Sequence, residues 1–225
     1  REEGLSHVKT FIWDHNKESA LDRAMAVMSD EEHAADVDGV AFHWYSGDHF
    51  DAVRALRDFV GPDREIIFSE GCDYHSDGSE TAELQHAEHY AHELIGDFEA
   101  GTNAAVDWNI LLDAQGGPNH VSNYCDAPIM YDAETHEMRV RRPFHYLGHF
   151  SRFVAPGARH MLSTSYTDAL ETCGFVNPDG SFALVVLNRT DDAILFDFTL
   201  GNVTRLNARL AHLDAPAHSI QTICW

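Results

Sequence analysis

Four apolar runs alternate with helix-spaced segments over residues 8–112, and this constrains the fold more than any other feature of the chain. The runs lie at residues 8–13, 37–45, 65–69 and 103–112, and the segments between them at 18–28, 50–60 and 81–99. Leu21, Met25 and Met28 recur on one helical face, as do Leu84, Ala87, Ala91, Leu94 and Phe98. Strands separated by helices of this length predict βα units on a parallel sheet.

The third run passes through Ile66, Ile67, Phe68 and Ser69 straight into Glu70, with Gly71 and Cys72 following. A carboxylate at the C-terminal end of a parallel strand reads as catalytic. The second run ends in Phe42-His43-Trp44-Tyr45 and the fourth contains Val106-Asp107-Trp108-Asn109, so aromatic and polar groups are expected around Glu70 at one mouth. Such an assembly suits a sugar. By the period-two rule His43 and Tyr45 share a face while Trp44 points away. The Tyr45 hydroxyl is then placed to hold Glu70 ionised, since a hydrogen bond to a carboxylate favours its charged form. Taken alone, Glu70 also fits an ion-paired strand end, and His43 with Tyr45 fits a pair of satisfied core groups. Asp14 ends the first run and is expected to orient its neighbours rather than touch substrate. Trp108 offers an apolar face to the C–H side of a sugar ring, with Asn109 expected in the barrel wall.

After a turn-rich loop at 113–123 come a strand-like pair within 128–140 and a helix at 142–153. Beyond Pro156-Gly157 the texture changes to short β-rich runs at 170–177, 181–188, 193–200, 203–210 and 219–225, with Asn177-Pro178-Asp179-Gly180 as a turn between the first two. The expected fold is therefore α/β over residues 1–155, followed by an all-β sandwich over 156–225. Four barrel strands alone would leave edges and an inner face open, so the chain is expected to be the C-terminal part of a longer barrel.

Composition excludes other classes. With 15 Lys and Arg against 37 Asp and Glu the formal charge is -22, which repels phosphate backbones and makes nucleic acid an unsuitable partner. No run approaches the roughly 18 apolar residues of a membrane span. The four cysteines, Cys72, Cys125, Cys173 and Cys224, lack C-x-x-C spacing and read as free thiols, mostly buried. Among the 16 histidines, His86, His89 and His92 share one helical face and His145 and His149 lie four apart. The second pair lacks the Glu of H-E-x-x-H and the first set falls on an outer helix among acids, so a solvated His/Glu face is the better reading; no metal and no cofactor are expected. The sequons at Asn188 and Asn202 matter only in a eukaryotic secretory pathway.

The blocks Phe42-His43-Trp44-Tyr45, Phe68-Ser69-Glu70-Gly71-Cys72, Asp107-Trp108-Asn109, Gly116-Gly117-Pro118-Asn119 and Tyr146-Leu147-Gly148-His149-Phe150-Ser151 occur here in that order. In them the chain resembles glycoside hydrolase family 30, its glucosylceramidase (acid β-glucosidase) branch especially. The resemblance implies a (β/α)8 TIM barrel with a side β-sandwich, of which this chain carries barrel strands five to eight. It also implies a retaining mechanism with two glutamates, Glu70 being the nucleophile at the end of strand seven. The family's acid/base glutamate lies in an Asn-Glu-Pro motif that this sequence lacks, so it is expected in an N-terminal half outside these residues. Asn16, Asn123 and Tyr124 align with positions lining the family's sugar pocket, Asn16 standing where Gln is frequent, and His75 borders the aglycone side. The implied substrate is a β-glycoside, glucosylceramide or an oligosaccharide. Rival readings keep the mechanism but take β-1,6-glucan, β-xyloside or β-fucoside, or make the chain a sugar-binding remnant, or pair it with a separately encoded half. Compartment stays open: the likeness allows lysosomal or exported in animals, while the unpaired cysteines and acidic surface lean to a bacterial protein, cytoplasmic or secreted.

Overall fold

The computed structural model describes residues 4–5, 7–119, 121–199, 201 and 211–225. They form two compact units, one of Arg1–Ala82 with Glu93–Arg141, the other of Glu83–His92 with Arg142–Trp225. In the first, β1 (Phe11–Asn16) leads through a 3-10 turn (Lys17–Ser19) to α1 (Ala20–Met28) and a short α2 (Glu31–Ala34). Then come β2 (Gly39–His43), α3 (Phe50–Val60), β3 (Glu65–Glu70), α4 (Glu80–Glu99), whose residues 83–92 group with the second unit, and β4 (Ala104–Ala105). The strands lie in the order β1-β2-β3-β4, every neighbouring pair parallel, as the alternation predicts.

Helix faces follow the spacing of apolar residues. Helix α1 buries Ala20, Ala24 and Met28, which corrects the expected face of Leu21, Met25 and Met28, since Met25 is exposed; α3 buries Val53, Leu56 and Val60, and each buried set recurs at three or four residues. Helix α3 occupies the expected residues 50–60, with Gly61 beyond its end at a φ of 75°. The α2 turn has no apolar periodicity to announce it and forms because the Asp30 carboxylate caps it, accepting from the Glu32 and His33 amides. Arg57 on α3 latches the start of β3 and the approach to β4. Its guanidinium donates to the carbonyls of Gly61, Arg64 and Gly101, and burial holds its pKa below the ordinary value.

The fourth run departs from expectation. Only Ala104–Ala105 joins the parallel sheet, because the chain is turned aside at Asp107 and Trp108. The Trp108 N–H donates to the Gly71 carbonyl at 3.1 Å and to the Asp107 carboxylate at 3.0 Å, in place of a ladder partner. The rest of the run enters a separate sheet in which β5 (Leu111–Asp113) pairs parallel with β6 (Ile129–Asp132), itself antiparallel to β7 (Glu137–Val140).

The second unit contains α5 (Arg142–Ser151) and antiparallel strands β8 (Arg159–Met161), β9 (Glu171–Val176), β10 (Phe182–Asn188), β11 (Ile194–Phe198), β12 (Ala211–Ala215) and β13 (Ser219–Cys224). They make a four-stranded sheet β13-β10-β9-β8 and a two-stranded antiparallel pair β11-β12. Leu170, Val186 and Ala215 are buried together, with Leu184, Ile194, Phe196 and Ile223 packed around them. The run expected at 203–210, and with it the Asn202 sequon, lies outside the described residues. Asn188 is fully buried, its amide donating to the carbonyls of Asp192, Ala215 and Pro216, so the first sequon presents no free acceptor in the folded chain. His92 and His149 are spent on hydrogen bonds, to Glu171 at 2.6 Å and Thr222 at 2.9 Å. Among the described residues no helix is long and apolar enough to cross a membrane.

Candidate active site

Two irregularities at the ends of neighbouring strands shape the mouth of the parallel sheet. Between β1 and β2 the register skips Asp14, and between β2 and β3 it skips Ser69, so that His43 stands opposite Glu70. Bulges re-aim side chains, and here the two extra residues meet. The Ser69 hydroxyl donates to the Asp14 carboxylate at 2.7 Å and lies 3.1 Å from the Phe42 carbonyl. Trp13 and Asp14 both adopt left-handed backbone, with φ of 79° and 54°. For such residues that conformation costs about 1–3 kcal/mol each, and it concentrates at functional sites.

The side chains follow from that backbone. Asp14 Oδ1 also takes the His43 Nε2 at 3.2 Å, which assigns the ring proton to Nε2 and turns Nδ1 toward Glu70, 3.9 Å from its Oε1. The Ser69 and His43 hydrogen bonds hold the Asp14 carboxyl below its ordinary pKa. Tyr45 donates its hydroxyl to Glu70 Oε1 at 3.2 Å, with the Cys72 sulfur 3.5 Å from the same hydroxyl. Burial, then the Cys72 and Glu70 neighbours, push the Tyr45 phenol far above its ordinary value, so it remains a donor. Trp44 is buried against Phe68, their ring centroids 5.4 Å apart, so the expected division of His43 and Tyr45 from Trp44 is observed. Gly71 permits this packing, since a Cβ there would lie 2.4 Å from Phe68 and 2.7 Å from Trp44.

Glu70, its side chain one quarter exposed, opens into a cleft of about 280 Å³ with Tyr45, Cys72, Trp108, Asn119 and Asn123 among its lining residues. Asn109 lines the same cleft, which corrects its expected place in the barrel wall; the backbone turn fixed by Trp108 brings both residues round. Behind Glu70, His43 and Asp14 are hydrogen-bonded to each other, and the His43 ring flanks the Glu70 carboxylate at 3.9 Å. Asn16, Tyr124 and His75 are not brought into this cleft. Asn16 closes β1, its carbonyl accepting from the Trp13 indole, and Tyr124 offers its carbonyl to the His75 amide. The His75 ring lies 2.9 Å from Asp126 in a second cleft with Ser76 and Arg141. Cys72 and Asn119 were legible only as members of larger blocks, Cys125 only as a free thiol, and Lys17 carried no signal at all. Lys17 is fully buried beyond β1, its Nζ 2.5 Å from Glu93 and 2.9 Å from Asp97.

A run of parallel βα units ending in a carboxylate-bearing cleft, with antiparallel strands after it, defines a TIM-barrel part followed by a β-sandwich. Residues 2–154 match the glycosyl hydrolase family 30 TIM-barrel domain and residues 157–223 the glycosyl hydrolase family 30 beta sandwich domain. The chain belongs to glycosyl hydrolase family 30. It is 31% identical over 210 residues to lysosomal acid glucosylceramidase of Mus musculus, covering 90% of this chain and 39% of that one. It is 38% identical to SrfJ from Salmonella typhimurium, whose crystal structure superposes with a TM-score of 0.93 over 100% of this chain and 48% of that one. An endo-β1,6-glucanase shares the fold, with a TM-score of 0.84 at 20% identity over 100% of this chain and half of its own. The chain thus spans half or less of the length of these relatives.

Proposed function

We propose that this chain carries the nucleophile of a retaining β-glycosidase that releases a terminal β-glucosyl residue, in the manner of a glucosylceramidase. The observation that carries the reading is Glu70 itself: a carboxylate at the end of a parallel strand, held by the Tyr45 hydroxyl and flanked by His43, in a cleft floored by polar groups and walled by Trp108. Retaining hydrolysis needs two carboxyls about 5 Å apart, one to attack the anomeric carbon and one to protonate the leaving oxygen and then activate water. Glu70 takes the first role. The second belongs to a glutamate from barrel strands outside these 225 residues, in keeping with the half-length or shorter coverage of the relatives. The barrel part is drawn over residues 1–155 and the sandwich over 156–225, a division supported by the two family matches.

In this mechanism Asp14 and Ser69 fix the His43 ring, which flanks the attacking carboxylate that the Tyr45 hydroxyl holds. Trp108, 56% exposed, offers an open indole face on which the apolar side of a pyranose can stack, and Asn119 and Asn123 offer polar groups to its hydroxyls. Glucose is preferred to a xylo- or fuco-configured sugar because the mouse relative is a glucosylceramidase. The test is Glu70→Gln in the full-length natural protein, assayed on a panel of nitrophenyl β-glycosides. The expected loss of turnover on the β-glucoside is roughly a thousandfold or more. Undiminished turnover sinks the assignment, and a preference for the β-xyloside or β-fucoside corrects the sugar.

A further inference from the structure

The wall of the same cleft holds a pair of thiols that the proposed hydrolysis does not use. Cys72 and Cys125 both line it as free cysteines, their sulfurs 3.2 Å apart. The approach is built into the main chain. Tyr74 and Cys125 form an antiparallel bridge, the His75 amide donates to the Tyr124 carbonyl at 3.0 Å, and the Asp126 amide donates to the Asp73 carbonyl at 2.9 Å. From the other side the Cys125 amide donates to the Gly116 carbonyl at 3.1 Å. Gly116 has a φ of 85°, and a Cβ there would meet the Cys125 carbonyl at 2.4 Å, so glycine is what allows this closeness. Leu112, Ala127 and Met130 pack with Cys125, and Cys72 packs against them.

A disulfide has an S–S distance of about 2.05 Å, so closing the gap moves each sulfur by about 0.6 Å. We propose that Cys72 and Cys125 are a site of reversible disulfide formation in the cleft wall, oxidised by a low-molecular-weight disulfide. One cysteine, losing its proton, attacks a sulfur of the small disulfide and expels its other half as a thiolate. The second cysteine, losing its proton, attacks the protein sulfur of this mixed disulfide and expels the second half. The two protons end on the two released thiols, and the two-electron oxidation of the pair matches the two-electron reduction of the small disulfide. Burial pushes the Cys72 thiol up to about 12, so the exchange is slow at neutral pH and quickens as pH rises.

The bond bears on Glu70 through Tyr45. Its formation draws the Cys72 sulfur toward Cys125 and so shifts its 3.5 Å contact with the Tyr45 hydroxyl, which donates to Glu70. This consequence, unlike the bond itself, rests on the glycosidase reading.

The test uses the full-length protein carrying Cys224→Ser, which removes an exposed thiol, incubated with oxidised glutathione and digested without reduction. The expected result is a peptide pair joined through Cys72 and Cys125, about 2 Da lighter than its two reduced parts together. It is absent from the Cys125→Ala variant and lost on adding dithiothreitol. Hydrolysis of a β-glucoside falls about tenfold in step with it, the size of effect expected for one slackened hydrogen bond to a charged group. Both thiols staying open to alkylation, or glutathione adducts without a cross-link, overturn the site. A cross-link with unchanged hydrolysis overturns the coupling through Tyr45, and the mass decides the bond even in a protein that hydrolyses no glucoside.

Discussion

Replacing Lys17 by Met removes a cation from the most enclosed charged cluster described in the first unit. Lys17 is fully buried, and the side chains of Glu93 and Asp97 are each 1% exposed. Its ammonium also lies 4.5 Å from the ring centroid of Phe50 and 5.6 Å from that of Phe42. Methionine keeps most of the volume, so cavity and repacking costs stay below about 1.5 kcal/mol. What is lost is the counter-charge of two buried carboxylates, and removing one partner of a buried ion pair costs about 3–5 kcal/mol. For a protein about twice the length of this chain each kcal/mol lowers Tm by roughly 1–2 °C, so a fall of about 3–10 °C is expected. Thermal unfolding of the full-length variant followed by calorimetry measures it. The triple variant Lys17→Met, Glu93→Gln, Asp97→Asn should recover part of the loss, because the uncompensated charges go with the cation. A single-variant Tm within about 2 °C of the parent refutes the reasoning, because a buried cation between two carboxylates cannot be that dispensable.

Tyr45→Phe keeps the ring and deletes the donor to Glu70; at a separation of 3.2 Å the loss is expected near 1.5 kcal/mol, about tenfold in kcat/KM, with Tm nearly unchanged. Gly71→Ala is expected to lower both stability and kcat/KM, since Phe68 and Trp44 are each 2% exposed and cannot yield to the new Cβ; the overpacking cost is about 1–3 kcal/mol. His218 lies against Asp191 and Glu88, which raise its pKa. A raised folded pKa means stability that is fully present below the unfolded value near 6.5 and is lost as pH climbs through the folded value. His218→Asn, which tolerates the positive φ at this position, should therefore lower Tm more at about pH 5.5 than at about pH 8.5, and an equal shift at both would contradict the pairing.

How much of this was legible in the sequence depended on the kind of signal. Apolar periodicity revealed the parallel sheet and placed α3 at its observed bounds, because packing of one face is what forms these elements. The strand end at Glu70 and the division of His43 and Tyr45 from Trp44 followed from the period of a strand. Features set by the main chain were invisible. The skips at Asp14 and Ser69, which create the hydrogen bond between them, leave no trace in hydropathy. The turn at Trp108 that shortens β4 and brings Asn109 into the cleft depends on a carbonyl of Gly71, a partner distant in sequence. Lys17 sits outside any motif and was missed because its meaning lies in carboxylates supplied by α4. Cys72 and Cys125 read as separate thiols, since only the bridge at Tyr74 brings the two segments together.

The most direct test of the central claim is covalent. The full-length natural protein is incubated with a mechanism-based β-glucose-configured inactivator, and the modified peptide is mapped by mass spectrometry. One glucosyl adduct is expected, on Glu70, absent from Glu70→Gln. An adduct on another carboxylate, or inactivation that persists in Glu70→Gln, would contradict it.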